Sequence, residues 1–107
     1  MNLSQLRAFD AVVRTGSFTA AAERLFVSQP AVTNHVKALE AYYEVSLFQR
    51  HGRGVEPTTL GHRLAEISRQ LFGMEEEAVE ILQAHKKLEA GNLRIASDGP
   101  YVVIPLV

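Results

Sequence analysis

Three consecutive alanines, Ala20, Ala21 and Ala22, occupy the middle of a short amphipathic segment. A helix carrying such small side chains lets a second helix approach its backbone closely. Phe18, Ala21, Ala22 and Leu25 recur at i, i+3, i+4 and i+7, which predicts one buried stripe. Ser17 precedes the stripe, where its hydroxyl can accept one of the backbone N–H groups that a helix start leaves unpaired. Ser28 stands in the same relation to a following segment in which Val32, Val36 and Leu39 fall at i, i+4 and i+7. Pro30 fits the first turn of that second helix, whose N–H groups have no intrahelical acceptor. Two short helices crossing at a tight turn, the second capped at its start, form a helix-turn-helix.

With Val32, Val36 and Leu39 facing inward, Gln29, Thr33, Asn34 and Lys37 are left outward near the helix start. Their chemistry suits the major groove of DNA. Amides bond adenine edges bidentately, Thr can bond a base or touch a thymine methyl, and Lys reaches guanine or phosphate. Free N–H groups at the helix start suit a phosphate. A polar outer face is also what a helix shows to water, so this face alone decides nothing. The crossing alanines and the Ser28-Gln29-Pro30 start are rarer in combination, and they favour DNA.

Residues 45–50 and 55–57 read as two strands joined across His51-Gly52-Arg53-Gly54. Glycines on either side of Arg53 permit a tight hairpin and hold the guanidinium at its tip. That planar donor fork matches phosphate, or fits a narrow minor groove. The plainer alternative is an exposed loop arginine with little to do.

From Thr58 onward the pattern changes. Leu60, Leu64, Ile67, Leu71, Met74, Ala78, Ile81, His85 and Leu88 are separated alternately by 4 and 3 residues. Such a heptad seam predicts a helix packing along another helix. Thr58 or Thr59 can cap its start, and Gly91-Asn92 can end it. A small winged domain cannot cover that length, so a second copy is expected to; the alternative is a helix folded back on its own domain. Gly73 weakens the helix by roughly 1 kcal/mol relative to Ala, and Ala78 and His85 fill the seam poorly. The expected fold is mainly α: three helices and a two-stranded wing over residues 1–57, then a long linker or dimerisation helix over 58–90.

Charge bears directly on the DNA reading. The net charge is -1 and the pI about 6.4, whereas free-standing DNA binders are often basic. Residues 1–57 carry six Lys/Arg against five Asp/Glu. Binding therefore needs a local patch around Lys37, Arg50 and Arg53, with His35 and His51 adding charge at low pH. Modest affinity from one copy predicts a dimer on paired half-sites.

Other chemistries find little support. The absence of cysteine removes disulfides, thiolate catalysis and cysteine-ligated zinc, and suits a reducing cytosol. No apolar run approaches the roughly 20 residues a membrane helix needs, and Met1-Asn2-Leu3-Ser4 lacks the features of a secretory signal. The four histidines are scattered, at 35, 51, 62 and 85, and no serine or carboxylate pair has a catalytic arrangement. His62 and Glu66 supply too few ligands for a metal, and Glu75-Glu76-Glu77 reads as a solvated face. Neither enzymatic activity nor a metal or cofactor is expected.

These residues resemble the N-terminal domain of LysR-type transcriptional regulators. The resemblance is carried by Leu6, Phe9, Gly16-Ser17-Phe18-Thr19-Ala20-Ala21-Ala22, Leu25, Ser28-Gln29-Pro30-Ala31-Val32-Thr33 and Leu39-Glu40. It continues through Leu47-Phe48, Arg50, Arg53, Thr58 and Gly61. It implies a winged helix-turn-helix in which Gln29, Pro30, Thr33 and Asn34 read bases. Ser28, Lys37, Arg50 and Arg53 would then hold the DNA backbone. Dimerisation would fall to the linker helix, through Leu60, Leu64, Ile67, Leu71, Met74, Ala78, Ile81 and Leu88.

Two positions depart from the family pattern. Tyr43-Glu44 stands where Leu-Gly is usual, and a non-glycine left-handed cap costs of order 1 kcal/mol. Glu44 is therefore expected to shift the turn into the wing and to bring a negative charge near the phosphate path. Pro57 stands where Leu is usual and suits the end of an edge strand.

Residues 91–107 read as a short strand at 93–97, a turn at Asp98-Gly99-Pro100 and an apolar tail. In the family an effector-binding domain begins here. Too little of it is present for a cleft, so the chain reads as a fragment, and a small-molecule effector belongs to a full-length protein. The resemblance implies a sequence-specific transcriptional regulator in a bacterial cytoplasm, bound as a homodimer to an interrupted palindrome in double-stranded DNA, with no membrane partner. The alternative is a protein-interaction or dominant-negative dimerisation module without DNA readout of its own.

Overall fold

The computed structural model describes residues 1–91, which form helices α1 (Leu3–Thr15), α2 (Phe18–Leu25) and α3 (Gln29–Tyr43), strands β1 (Phe48–His51) and β2 (Gly54–Pro57), and helix α4 (Thr59–Gly91). This is the mainly helical winged architecture the residue pattern predicts. Each start of the first three helices has a local cause. Asn2 and Gln5 form a reciprocal capping box on α1, with the Gln5 N–H donating to Asn2 Oδ1 at 2.8 Å. Ser17 Oγ accepts from the Ala20 N–H at 3.1 Å, and Ser28 Oγ accepts from the Ala31 N–H at 3.3 Å. Both serine caps stand where the sequence places them.

The core lies where α1, α2 and α3 meet. Ala8, Ala11 and Val12 from α1 pack with Ala21 and Ala22 from α2 and with Val32 and Val36 from α3. Phe18 and Leu25 cover the edge of this cluster, so the predicted stripe on α2 is the buried one. Phe48 carries the wing onto the same core, its ring centroid 5.2 Å from that of Phe9 and 5.8 Å from that of Phe18.

Two helices end on non-glycine residues in the left-handed region, Phe26 at φ +58° and Glu44 at φ +56°. Glu44 does not shift the turn as expected. It keeps the left-handed cap, its N–H turned to the Ala41 and Glu40 carbonyls, while the Val45 N–H donates to the Glu40 carbonyl at 2.9 Å. Pairing these otherwise orphaned carbonyls offsets the backbone strain. Phe26 keeps the same conformation although its side chain is 94% exposed and gains little packing. Phe26→Gly is therefore expected to raise stability by roughly 0.5–1 kcal/mol in urea unfolding. A loss of stability would mean that the ring makes a contact worth more than the strain.

The wing begins later than the residues suggest, at Phe48 rather than Val45. The reason is that earlier donors are committed to the end of α3: the Val45 N–H to the Glu40 backbone, and the Leu47 N–H to Glu40 Oε2 at 2.8 Å. The strands are antiparallel, in a register that pairs Phe48 with Pro57 and His51 with Gly54. Gly52 supplies the positive φ of the turn, at +61°. Gly54 has a different duty. A Cβ there would collide with the Gly16 carbonyl oxygen, which accepts from the Val55 N–H at 3.0 Å and ties the wing to the turn between α1 and α2.

Thr58 settles the start of α4. Its Oγ1 accepts from the Gly61 N–H at 3.1 Å and donates to the Ser46 carbonyl at 2.7 Å. A side chain at Gly61 would run into the Leu47 carbonyl, so the first turn of α4 sits directly on that backbone. Gly61, Ala65, Ser68 and Phe72 form a buried row. The predicted seam is a neighbouring row and stays largely bare: Leu60 is 40%, Ile67 54%, Met74 68%, Ile81 54% and Leu88 37% exposed. Leu64 and Leu71 are half-buried, and Ala78 and His85 exposed. The helix continues through Gly73, beside which a Cβ would meet nothing. The chain divides into two compact units after Gln70, within α4. The expected helix stop at Asn92, and the strand and turn expected beyond it, lie outside the described residues.

Candidate nucleic-acid interface

α3 presents the predicted base-reading residues as a group because its opposite side is committed. Val32, Val36 and Leu39 are 1–2% exposed. Gln29, Pro30, Asn34 and Lys37 are exposed and Thr33 is half-buried. Gln29 Nε2 donates to Thr33 Oγ1 at 3.0 Å, one helical turn along. That bond orients the Gln29 amide and still leaves its Oε1 and a second amide hydrogen for a base edge. Ser28 is exposed at the cap, next to the N–H groups of the first turn.

Lys37, Arg50 and Arg53, the expected patch, are all exposed. Arg50 and Arg53 line one groove of about 330 Å³ together with Ser17, Phe18, Thr19, Gly54 and Val55. Lys37 stands exposed on the outer face of α3. The arginines' groove reaches the start of α2 because the wing is fastened at Gly16, through Val55 and the close approach of Gly54. Thr19, which the residue pattern did not single out, lines this groove as well. In the sequence it is marked only by its place after the Ser17 cap and within the stretch that carries the family resemblance.

His51 lies beside a carboxylate of the adjoining strand. Its Nδ1 lies 3.7 Å from Glu56 Oε1, while Glu56 Oε2 accepts from Gln49 Nε2 at 3.2 Å. Among the described residues no group of three or more His, Cys, Asp or Glu side chains could hold a metal ion. No helix of the described residues is long and apolar enough to cross a membrane.

Comparison with known proteins matches this geometry. The description "Bacterial regulatory helix-turn-helix protein, lysR family" fits residues 3–62. The RuBisCO operon transcriptional regulator of Allochromatium vinosum is 43% identical over 96 residues, 90% of this chain and 32% of that protein. The HTH-type transcriptional regulator ClcR of Pseudomonas putida is 40% identical over 109 residues, 100% of this chain and 37% of that protein. The chain thus spans about a third of the length of these curated relatives. Among solved structures, the BenM DBD in its complex with benA site 1 DNA is similar at a TM-score of 0.68 and 31% identity, over 80% of this chain and 97% of that one. The CbnR DBD in a DNA complex is similar at a TM-score of 0.65 and 38% identity, over 80% of this chain and 99% of that one. The chain belongs to the LysR family of bacterial regulatory helix-turn-helix proteins.

Proposed function

We propose that this chain is the DNA-reading and dimerising part of a transcriptional regulator, binding an interrupted palindrome in double-stranded DNA as a homodimer. The observation that carries the reading is the outward row on α3: Gln29, Pro30 and Asn34 exposed, Thr33 beside them, over a helix whose other side is locked in the core. Those four residues read bases. Ser28, Lys37, Arg50 and Arg53 hold the backbone from the helix start, the outer face of α3 and the wing. The DNA complexes of the BenM and CbnR domains support the same use of this fold.

Residues 1–57 act as the reading head, 58–90 as the dimerising helix, and 91–107 as the start of an effector-binding domain. Bare apolar side chains at 60, 67, 74, 81 and 88 suit a partner helix. Leu60 and Leu64 also border an apolar groove of about 450 Å³ lined by Met1, Leu39, Tyr43, Val45 and Leu47, which extends the surface a partner would cover. The full-length regulator works in the bacterial cytoplasm and answers to a small molecule. No catalytic role is assigned to the chain.

Binding to a labelled duplex, titrated across salt concentrations, tests the reading. Phosphate contacts make affinity fall steeply with salt. Arg53→Ala is expected to weaken binding to every sequence and to lower the salt slope by about 1. Affinity that barely responds to salt, in a folded dimer, would instead indicate a protein-interaction module.

A further inference from the structure

Asp10 and Ser68 are polar yet 8% and 0% exposed. They meet across a long stretch of chain, Ser68 Oγ lying 2.8 Å from Asp10 Oδ1. Ser68 has one proton and a second acceptor within reach, the Ala65 carbonyl at 3.1 Å. The shorter contact to a carboxylate is the stronger one, so the proton goes to Asp10. Asp10 cannot swing away to water, because Arg14 Nε donates to its other oxygen at 2.7 Å. Its helix is held on either side by Phe9 and Val12, each 0% exposed.

We infer that the Asp10–Ser68 hydrogen bond is a register pin that fixes the first turns of α4 on the reading head and thereby sets the spacing between half-sites the dimer accepts. The inference rests on the reading of α4 as the dimerising helix of a DNA-binding head. Its physical basis is the row that α4 lays on the head. Gly61, Ala65 and Ser68 are small, and Phe72, buried next in the row, is apolar, so of these side chains only that of Ser68 makes a hydrogen bond. Thr58 and Gly61 clamp only the very start of the helix, onto Ser46 and Leu47. Ser68 adds a second directional contact further along the same turns of α4. A directional polar bond enforces register where apolar contact would accept several. Ser68 is therefore a positioning residue: it touches no DNA and acts through α4.

The test compares the 107-residue parent chain with Ser68→Ala, Ser68→Cys and Asp10→Asn. A pool of random-sequence duplexes is selected with each protein, and the separation between enriched half-sites is read by sequencing. The parent is expected to enrich one separation. Ser68→Ala should keep the same half-site sequence but lose, several-fold, the preference for that separation over its neighbours. Ser68→Cys, of similar size but a weak donor, should spread in the same way, which keeps the test decisive if the alanine variant fails to fold. In Asp10→Asn the amide can donate to Ser68 Oγ while the Ser68 proton turns to the Ala65 carbonyl, so the bond persists and the single separation is retained. A folded Ser68→Ala or Ser68→Cys with the parent's separation would overturn the pin. So would an Asp10→Asn variant that spreads as widely as the alanine one. A parent that enriches only unpaired sites would overturn both the pin and the dimeric reading beneath it.

Discussion

Phe9→Ala will destabilise the winged head by about 3–5 kcal/mol, the usual cost of emptying an aromatic core position. Phe9 is 0% exposed and its ring lies 5.2 Å from that of Phe48. The deletion therefore opens a cavity in α1 and removes the surface on which the wing rests. Small domains are stable by only about 5–15 kcal/mol, so the loss is a large share of the total. Urea unfolding followed by circular dichroism measures it directly. Binding to all duplexes should fall together, because the arginines of the wing lose their support while the outer face of α3 is unaltered in chemistry. A loss of stability below about 1.5 kcal/mol, less than the apolar transfer term alone, would contradict the tight packing that the full burial of Phe9 implies.

Asn34→Ala and Thr33→Ala will relax base preference rather than weaken binding generally. A bidentate side-chain contact is worth about 1–3 kcal/mol of discrimination against the wrong base. Binding to the selected duplex and to its single-base variants should therefore converge at the position each residue reads, with the salt slope unchanged. The two variants should differ. Thr33 also accepts from Gln29 Nε2 at 3.0 Å, so its removal frees the Gln29 amide and should blur preference at more than one base pair. Asn34 is exposed on the outer face, and its removal should blur one. Uniform weakening on every duplex by either variant would place these residues on the backbone instead.

The parts of this fold that could be read from the sequence are those governed by neighbours along the chain. Ser17, Ser28 and Thr58 cap helices because a hydroxyl within a few residues of an apolar stripe has little else to do, and each cap forms. The stripes at 18–25 and 32–39 bury as their periodicity requires. The wing's existence was legible from its glycines, its starting residue was not, since that depends on Glu40 reaching forward to Leu47. Close approaches of backbone to backbone left almost no trace. Gly54 looks like half of a turn signal, but it is required against the Gly16 carbonyl. Gly61 carries no mark of its proximity to Leu47. The buried row on α4 follows the same 4-and-3 steps as the apolar seam. Of its members Gly61, Ala65, Ser68 and Phe72 only the last is strongly hydrophobic, too little to stand out as a stripe.

The candidate site divides along the same line. The face of α3 follows from helix periodicity alone, so Gln29, Thr33, Asn34 and Lys37 fall together as read. The company of Arg50 and Arg53 follows from tertiary packing, which sets them in one groove with Thr19 and the start of α2.

Selection of preferred duplexes from a random DNA pool by this chain, at two salt concentrations, is the most direct test of sequence-specific reading by a dimer. The expected result is one enriched, two-fold-symmetric site that survives at the higher salt. A folded, dimeric protein that enriches no sequence at either concentration would contradict it.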